Sequence, residues 1–215
     1  MQKYKNVIFD FDGTIADTSE GVLQGVRYAL DKINGSADKY TTAQLRGFIG
    51  PVLNSSFQKI TKLTPQQTTK AIELYREKYI SGAMFKCKLY DGMIEVFTAL
   101  NARGVKISVA SSKPHSQLLK VIEYLGLTKY FSAVVGALDD INNDKSYLIN
   151  KATVATPAIM VGDSIYDIMG ATKANIPCVA VGYGFGNIEE MKGYAPAYFA
   201  ESVSKLKEIL LQITE

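Results

Sequence analysis

The chain has 215 residues, 47% hydrophobic and 21% charged, which suits one large or two small globular domains with a substantial core. Its formal charge of +3 is small and its lysines are scattered, so no nucleic-acid footprint is expected, whereas a small anion needs only a local positive site. No apolar run reaches the length of a membrane span, and the N-terminal apolar run leads into Asp rather than a small-residue cleavage site, so the protein reads as cytoplasmic, without anchor or signal peptide.

The first element is NVIFDF, residues 6–11, apolar enough for a buried strand, yet carrying Asp10 and Asp12 at its end with Gly13 and Thr14 directly after. TSEGVLQGVRYALDKIN follows as a helix, with Ser19 the expected cap and Val22, Val26, Ala29, Leu30 and Ile33 on one face. TTAQLRGFIGPVLNSSFQKIT reads as two short helices broken at Gly50-Pro51. In TPQQTTKAIELYREKYISGAMF, Thr64 stands at the N-cap, Pro65 at the first helical position and Gln67 in the capping-box place. From Thr18 to about Gly82 the pattern is helical, with no convincing strand.

The pattern then changes to alternation. DGMIEVFTALNARG is a helix ending at Gly104, VKISVAS a strand, SQLLKVIEYLG a helix closed by Gly126, and FSAVVG a strand. KSYLINKAT, AIMVGDS, DIMGATKAN and PCVAVGYG continue as helix, strand, helix and strand, and SVSKLKEILLQI is a terminal helix. Near-continuously apolar strands alternating with helices imply a parallel sheet covered on both faces. The fold class is therefore α/β, a doubly wound, Rossmann-like sheet with an all-helical insertion after the first strand. Residues 1–16 and 84–215 form the expected core and 17–83 the expected inserted domain. Cys87 and Cys178 belong to no CxxC pair or His/Cys cluster and read as buried or half-buried thiols of a reducing compartment, with a single disulfide left open.

In an open parallel sheet, ligands bind beyond the carboxyl ends of the strands. That edge collects Asp10 and Asp12 after the first strand and Ser111, Ser112 and Lys113 after VKISVA. It also collects Lys145 at the helix start after DDINND, and Asp163 and Asp167 after AIMVG. Carboxylates converging without His or Cys call for a hard cation, and Mg2+ is the usual one. At i and i+2 along a strand, Asp10 and Asp12 are expected to share a face, and Gly13 lets the backbone turn sharply and approach a ligand.

The segments DFDGT, VASSK, a lysine ahead of a helix, and VGDSIYD resemble, in order, the four motifs of the haloacid-dehalogenase superfamily, and the helical insertion sits where that family carries a small helical cap. The likeness spans nearly the whole chain. GFIGPVLNSSF, LYDGM, ASSKP and GDSIYDIMGA resemble its phosphoglycolate-phosphatase-like branch, and within it proteins described as 5'-nucleotidase-like.

The resemblance implies a Mg2+-dependent phosphatase acting on a small phosphomonoester. Asp10 would be the nucleophile. Asp12 would protonate the leaving alcohol, later activate water, and lend its backbone carbonyl to the metal. Ser111, with Ser112 and Gly13, would contact the phosphoryl group, and Lys145 would neutralise Asp10 and phosphate. Asp163 would ligate Mg2+, with Asp167 behind it or bridged by water. Arg46, Asn54 and Ser55 are polar residues of the insertion that could face substrate, with Arg46 taken as the candidate contact. The insertion would close over the substrate through hinges near residues 15–18 and 82–88.

Three departures from the family pattern stand out: Ser rather than Thr at position 111, an acidic and shortened GALDDINND lacking an expected Arg, and Val52 in place of a second Pro. The residues also leave alternatives open. Lys113 and Lys151 rival Lys145 for the lysine role. His115, the only histidine, reads as a first-turn residue of an exposed helix. GYGFG, residues 182–186, imitates a dinucleotide loop but opens no long helix, so it reads as a flexible loop at the site's edge. Its Tyr183 and Phe185 either touch substrate or pack under the insertion. A sugar phosphomutase of the same superfamily would use identical core residues. A receiver-like signalling domain also pairs a phosphorylated Asp with a hydroxyl, a Lys and Mg2+, but has no helical block after its first strand. The expected partner is a small phosphorylated metabolite, with no nucleic acid and no membrane, and a homodimer stays open.

Overall fold

The computed structural model describes residues 3–49, 53–138 and 144–214. The chain divides into two compact units, one of Met1–Asp17 with Leu89–Glu215 and one of Thr18–Lys88. The two-residue strands β2 (Ala16–Asp17) and β3 (Lys88–Leu89) lie where the chain leaves the first unit and returns to it.

The first unit is built on β1 (Asn6–Phe9), β4 (Lys106–Pro114), β5 (Ala133–Ala137), β6 (Ala158–Gly162), β7 (Cys178–Val181) and β8 (Tyr198–Ala200). They form one six-stranded sheet in the order β5-β4-β1-β6-β7-β8, and every adjacent pair is parallel. From β1 the later strands are laid down first on one side, β4 then β5, and then on the other, β6 to β8. The order therefore reverses at β1, and the crevice that a doubly wound sheet offers a ligand opens at its carboxyl end. β1, β6 and β7 are buried along their whole length, as strands covered on both faces must be, which is why they read as unbroken apolar runs.

Alternation along β1 sends side chains to two cores. Ile8 packs with Ala110, Met160 and Ala180 against α7 (Lys145–Ala152) and α8 (Ile165–Lys173), through Leu148, Ile149, Ile168 and Ala171. Phe9 faces the other way and meets Phe97 of α5 (Met93–Ala102) edge to face at 5.5 Å. The unit is completed by α6 (His115–Tyr124), α9 (Ile188–Gly193) and α10 (Val203–Ile213). The sequence reading passes over β8 and α9. β8 is a three-residue edge strand and α9 buries only Met191, so neither leaves a periodic signal.

The second unit is helical among the described residues. α1 (Ser19–Asn34) packs on α4 (Pro65–Ile80), with α2 (Thr42–Arg46) and α3 (Leu53–Ser56) between them in sequence. The N-cap of α1 is Thr18 rather than Ser19, which is its first helical residue. Thr64 and Gln67 form the expected reciprocal capping box, and Thr41 and Gln44 form a second. Gly25 lets α1 approach α4 closely, since a β-carbon there would lie 2.8 Å from the Tyr75 ring. The Gly50-Pro51 break, Val52 and most of the acidic stretch before Lys145 lie outside the described residues.

Candidate active site

The ladder between β1 and β6 runs one residue past β1, because Asp10 N–H donates to Val161 O at 2.9 Å. The chain then turns tightly: the N–H groups of Thr14, Ile15 and Ala16 all point at Phe11 O, and Gly13 N–H donates to Ala16 O at 2.9 Å. Gly13 adopts φ +80°, and a β-carbon there would sit 2.2 Å from Asp163 Oδ2, so both conformation and space require glycine.

Asp10 and Asp12 go to different partners. Asp10 Oδ1 accepts from Phe11 N–H at 2.7 Å and lies 2.9 Å from Lys145 Nζ. Asp12 Oδ1 lies 3.1 Å from Lys113 Nζ. The expectation of a shared face does not describe this pair, because β1 ends at Phe9 and strand alternation no longer governs the turn. The repulsion built into DFD is relieved by two lysines from two other segments. Lys113 is thus the partner of Asp12 rather than a rival of Lys145, and it is almost fully buried. The other rival, Lys151, is exposed on α7, over the Tyr147 ring.

Lys145 is the first residue of α7, whose N-cap Asp144 accepts from Ser146 N–H at 2.9 Å. Its stem crosses α8 at Gly170, where a β-carbon would come within 2.7 Å of it. Its ammonium bridges Asp10 Oδ1 and Asp167 Oδ1, at 2.9 and 2.8 Å. Asp167 folds back over Gly162, and its Oδ2 accepts from Ser164 N–H and Oγ at 3.0 and 2.7 Å. Asp163, 3% exposed, accepts from Thr14 Oγ1 at 3.2 Å and from Phe185 N–H at 2.8 Å. Ser111 is buried in β4, three residues before its end and just ahead of the shift in register with β5, and its Oγ accepts from Lys113 N–H at 3.3 Å. Ser112 beside it is exposed, as is Arg46 at the end of α2 in the second unit.

Asp10, Asp163 and Asp167 can each bring one carboxylate oxygen within 4.8 Å of the others. Burial, with repulsion from Asp167 and Asp12, pushes the Asp10 carboxyl up to about 6, despite the opposing pull of Lys145. Burial and repulsion from Asp167 and Asp10 push Asp163 up to about 8. Burial alone would depress Lys145, but Asp10 and Asp167 overcome it and hold the ammonium protonated. With all three carboxylates ionised, the one ammonium would leave two negative charges uncompensated in this largely buried, all-oxygen cluster, and burial together with that excess charge is why Asp10 and Asp163 hold their protons to higher pH. That donor set fits a hard divalent cation.

The loop after β7 takes a larger part than the sequence indicates. Tyr183 OH donates to Thr14 O at 3.0 Å, and its ring meets Tyr90 edge to face at 4.9 Å. Burial first, then Asp163, raises the Tyr183 phenol far above the usual range, so it remains a neutral donor. Thr14, Lys113 as partner of Asp12, and the backbone of Phe185 are contacts the sequence did not disclose. The glycine spacing of GYGFG was the available signal for the last, and nothing in LYDGM marked Tyr90. His115, at the start of α6, accepts from Gly136 N–H at 3.2 Å through Nδ1.

A sequence profile of the haloacid dehalogenase-like hydrolases matches residues 7–181. A 5'-nucleotidase of Pseudomonas aeruginosa is 30% identical over 214 residues, covering 97% of this chain and 96% of that protein. The pyrophosphatase PpaX of Halalkalibacterium halodurans is 28% identical, over 95% of each. A crystal structure from Clostridium acetobutylicum, described as a "predicted phosphatase", is 35% identical over 98% of this chain and 100% of its own, with a TM-score of 0.89. Acid pairs on adjacent strand ends, a buried bridging lysine and this breadth of likeness together place the chain in the haloacid dehalogenase-like hydrolase family.

Proposed function

We propose that this phosphatase hydrolyses a small phosphomonoester through a phosphoryl group carried transiently on Asp10. The observation that supports this best is the largely buried cluster of Asp10, Asp163 and Asp167, two of them bridged by Lys145, at the reversal point of the sheet. Asp10, Asp163 and Asp167, with the backbone carbonyl of Asp12, would hold Mg2+, whose charge would offset that of the cluster and of the substrate phosphate. Asp10 attacks phosphorus, and the P–O bond to the alcohol breaks as Asp12 delivers the leaving oxygen its proton. Asp12, now ionised, accepts a proton from water as that water attacks the aspartyl-phosphate. Phosphate leaves and Asp10 is restored. Ser111 Oγ donates to a phosphoryl oxygen, and Lys145 keeps its charge throughout, holding Asp10 and the transferring group in line.

Phosphoglycolate and nucleoside 5'-monophosphates are the substrate classes favoured, the second because the Pseudomonas relative is named a 5'-nucleotidase. The test is release of phosphate from p-nitrophenyl phosphate and from a panel of phosphorylated metabolites in Mg2+. Asp10→Asn should abolish release, with the circular dichroism of the fold unchanged. Substantial turnover by that variant would remove Asp10 from the nucleophile's role.

A further inference from the structure

The residues that follow β7 enclose Asp163. A β-carbon at Gly184 would lie 2.4 Å from both Asp163 Cβ and Gly13 O, and one at Gly186 would lie 1.8 Å from Asp163 O. The loop can therefore run against Asp163 only because those positions are glycine. From that approach Phe185 N–H reaches Asp163 Oδ2 at 2.8 Å, while Thr14 Oγ1 reaches the other oxygen, Oδ1, at 3.2 Å. The two donors come from segments about 170 residues apart in sequence, and Tyr183 ties those segments together, its hydroxyl donating to Thr14 O at 3.0 Å. A carboxylate with a separate donor on each oxygen cannot rotate without breaking one of them, and the donors of such outer hydrogen bonds set a metal ligand's orientation.

We infer that Tyr183 is a positioning residue: by fastening the turn after β1 to the loop after β7, it holds the Asp163 carboxylate in one orientation toward a divalent cation. This rests on the metal centre proposed above. The Tyr183 ring packs against Tyr90 independently of its hydroxyl, so Tyr183→Phe removes the tie and keeps the packing.

The test is binding of Mn2+ alone, without substrate, followed by electron paramagnetic resonance in wild type, Tyr183→Phe, Thr14→Val and the double variant. Tyr183→Phe is expected to weaken Mn2+ binding about tenfold or more, the range lost when an outer partner of a metal ligand is removed. Thr14→Val, which takes the donor from Oδ1, should weaken it similarly. Because both act through one linkage, the double variant should fall short of the product of the single effects. The metal-free melting temperature of Tyr183→Phe should fall by no more than about 6 °C, the cost of one hydrogen bond in a protein of this size. Mn2+ binding by Tyr183→Phe within twofold of wild type overturns the inference. So does an affinity loss that comes with a large fall in metal-free melting temperature, which marks a merely structural role. Failure of the wild-type protein to bind Mn2+ would overturn the metal centre itself and this inference with it, a result distinct from both.

Discussion

Replacing Lys145 by Met tests the electrostatic account of the site without reference to turnover. Met has nearly the length of Lys and keeps the stem that lies across Gly170, so the change removes the charge and little else. In wild type the ammonium sits 2.9 Å from Asp10 and 2.8 Å from Asp167, and the residue is 8% exposed. Without it, the fully buried Asp167 and the half-buried Asp10 lose their counter-charge beside Asp163. Removing one partner of a buried ion pair costs about 3–5 kcal/mol. For a protein of this size each kcal/mol shifts the melting temperature by about 2–4 °C, so a fall of roughly 6–20 °C is expected. The assay is thermal unfolding followed by circular dichroism at pH 8 in EDTA. At pH 5 the gap to wild type should narrow, because Asp10 and Asp163, already pushed up by burial, are protonated there and need less compensation. Lys151→Met, on the exposed side of the same helix, should shift melting by no more than about 2 °C. A Lys145→Met protein that melts within that margin of wild type at pH 8 in EDTA would refute the reasoning.

The same charges set the pH dependence of the metal-free wild type. Asp163 and Asp10 have folded-state pKa values of about 8 and about 6, both above the unfolded value near 4. Between those limits the native state binds more protons than the unfolded state. The associated stability is therefore present below about pH 4 and is lost as pH rises toward 8, with a slope of up to about 1.4 kcal/mol per pH unit for each proton. Melting temperature in EDTA should fall from pH 5 to pH 8 and saturating Mg2+ should remove the fall; a flat profile in EDTA would contradict the cluster's electrostatics. Lys113→Met should lower the turnover number on p-nitrophenyl phosphate by about a hundredfold, the lower end of what a positioned acid–base group contributes, while half-saturation by Mg2+ stays within about twofold. Mg2+ dependence shifted in parallel with turnover would place Lys113 on the metal cluster rather than on Asp12.

Much of the candidate site was legible because its motifs are local. DFDGT is a strand running into a turn that only glycine can make, GDSIYD places one acid at a strand end and the next in the first turn of a helix, and Thr64-Pro65 with Gln67 caps α4 within four residues. Each is specified by neighbours along the chain, so spacing alone exposes it. β8 and α9 stayed hidden for the converse reason. They are held by the edge of the sheet and one buried methionine, and the tertiary surroundings decide them.

What the sequence determined by itself is the alternation of apolar strands with helices, the helical insertion after β1, and the set of acids, hydroxyls and lysines that the carboxyl edge of the sheet would collect. What only the tertiary structure decided is who meets whom on that edge. β1 lies between β4 and β6, so Asp12 reaches Lys113 from one neighbour while Asp163 stands beside Asp10 on the other. Lys145 serves Asp10 and Asp167 together, and Tyr183 reaches Thr14 across 169 positions of sequence. Those pairings follow from strand order and from where glycines let backbones approach, quantities that depend on the packed sheet and leave no period in the chain.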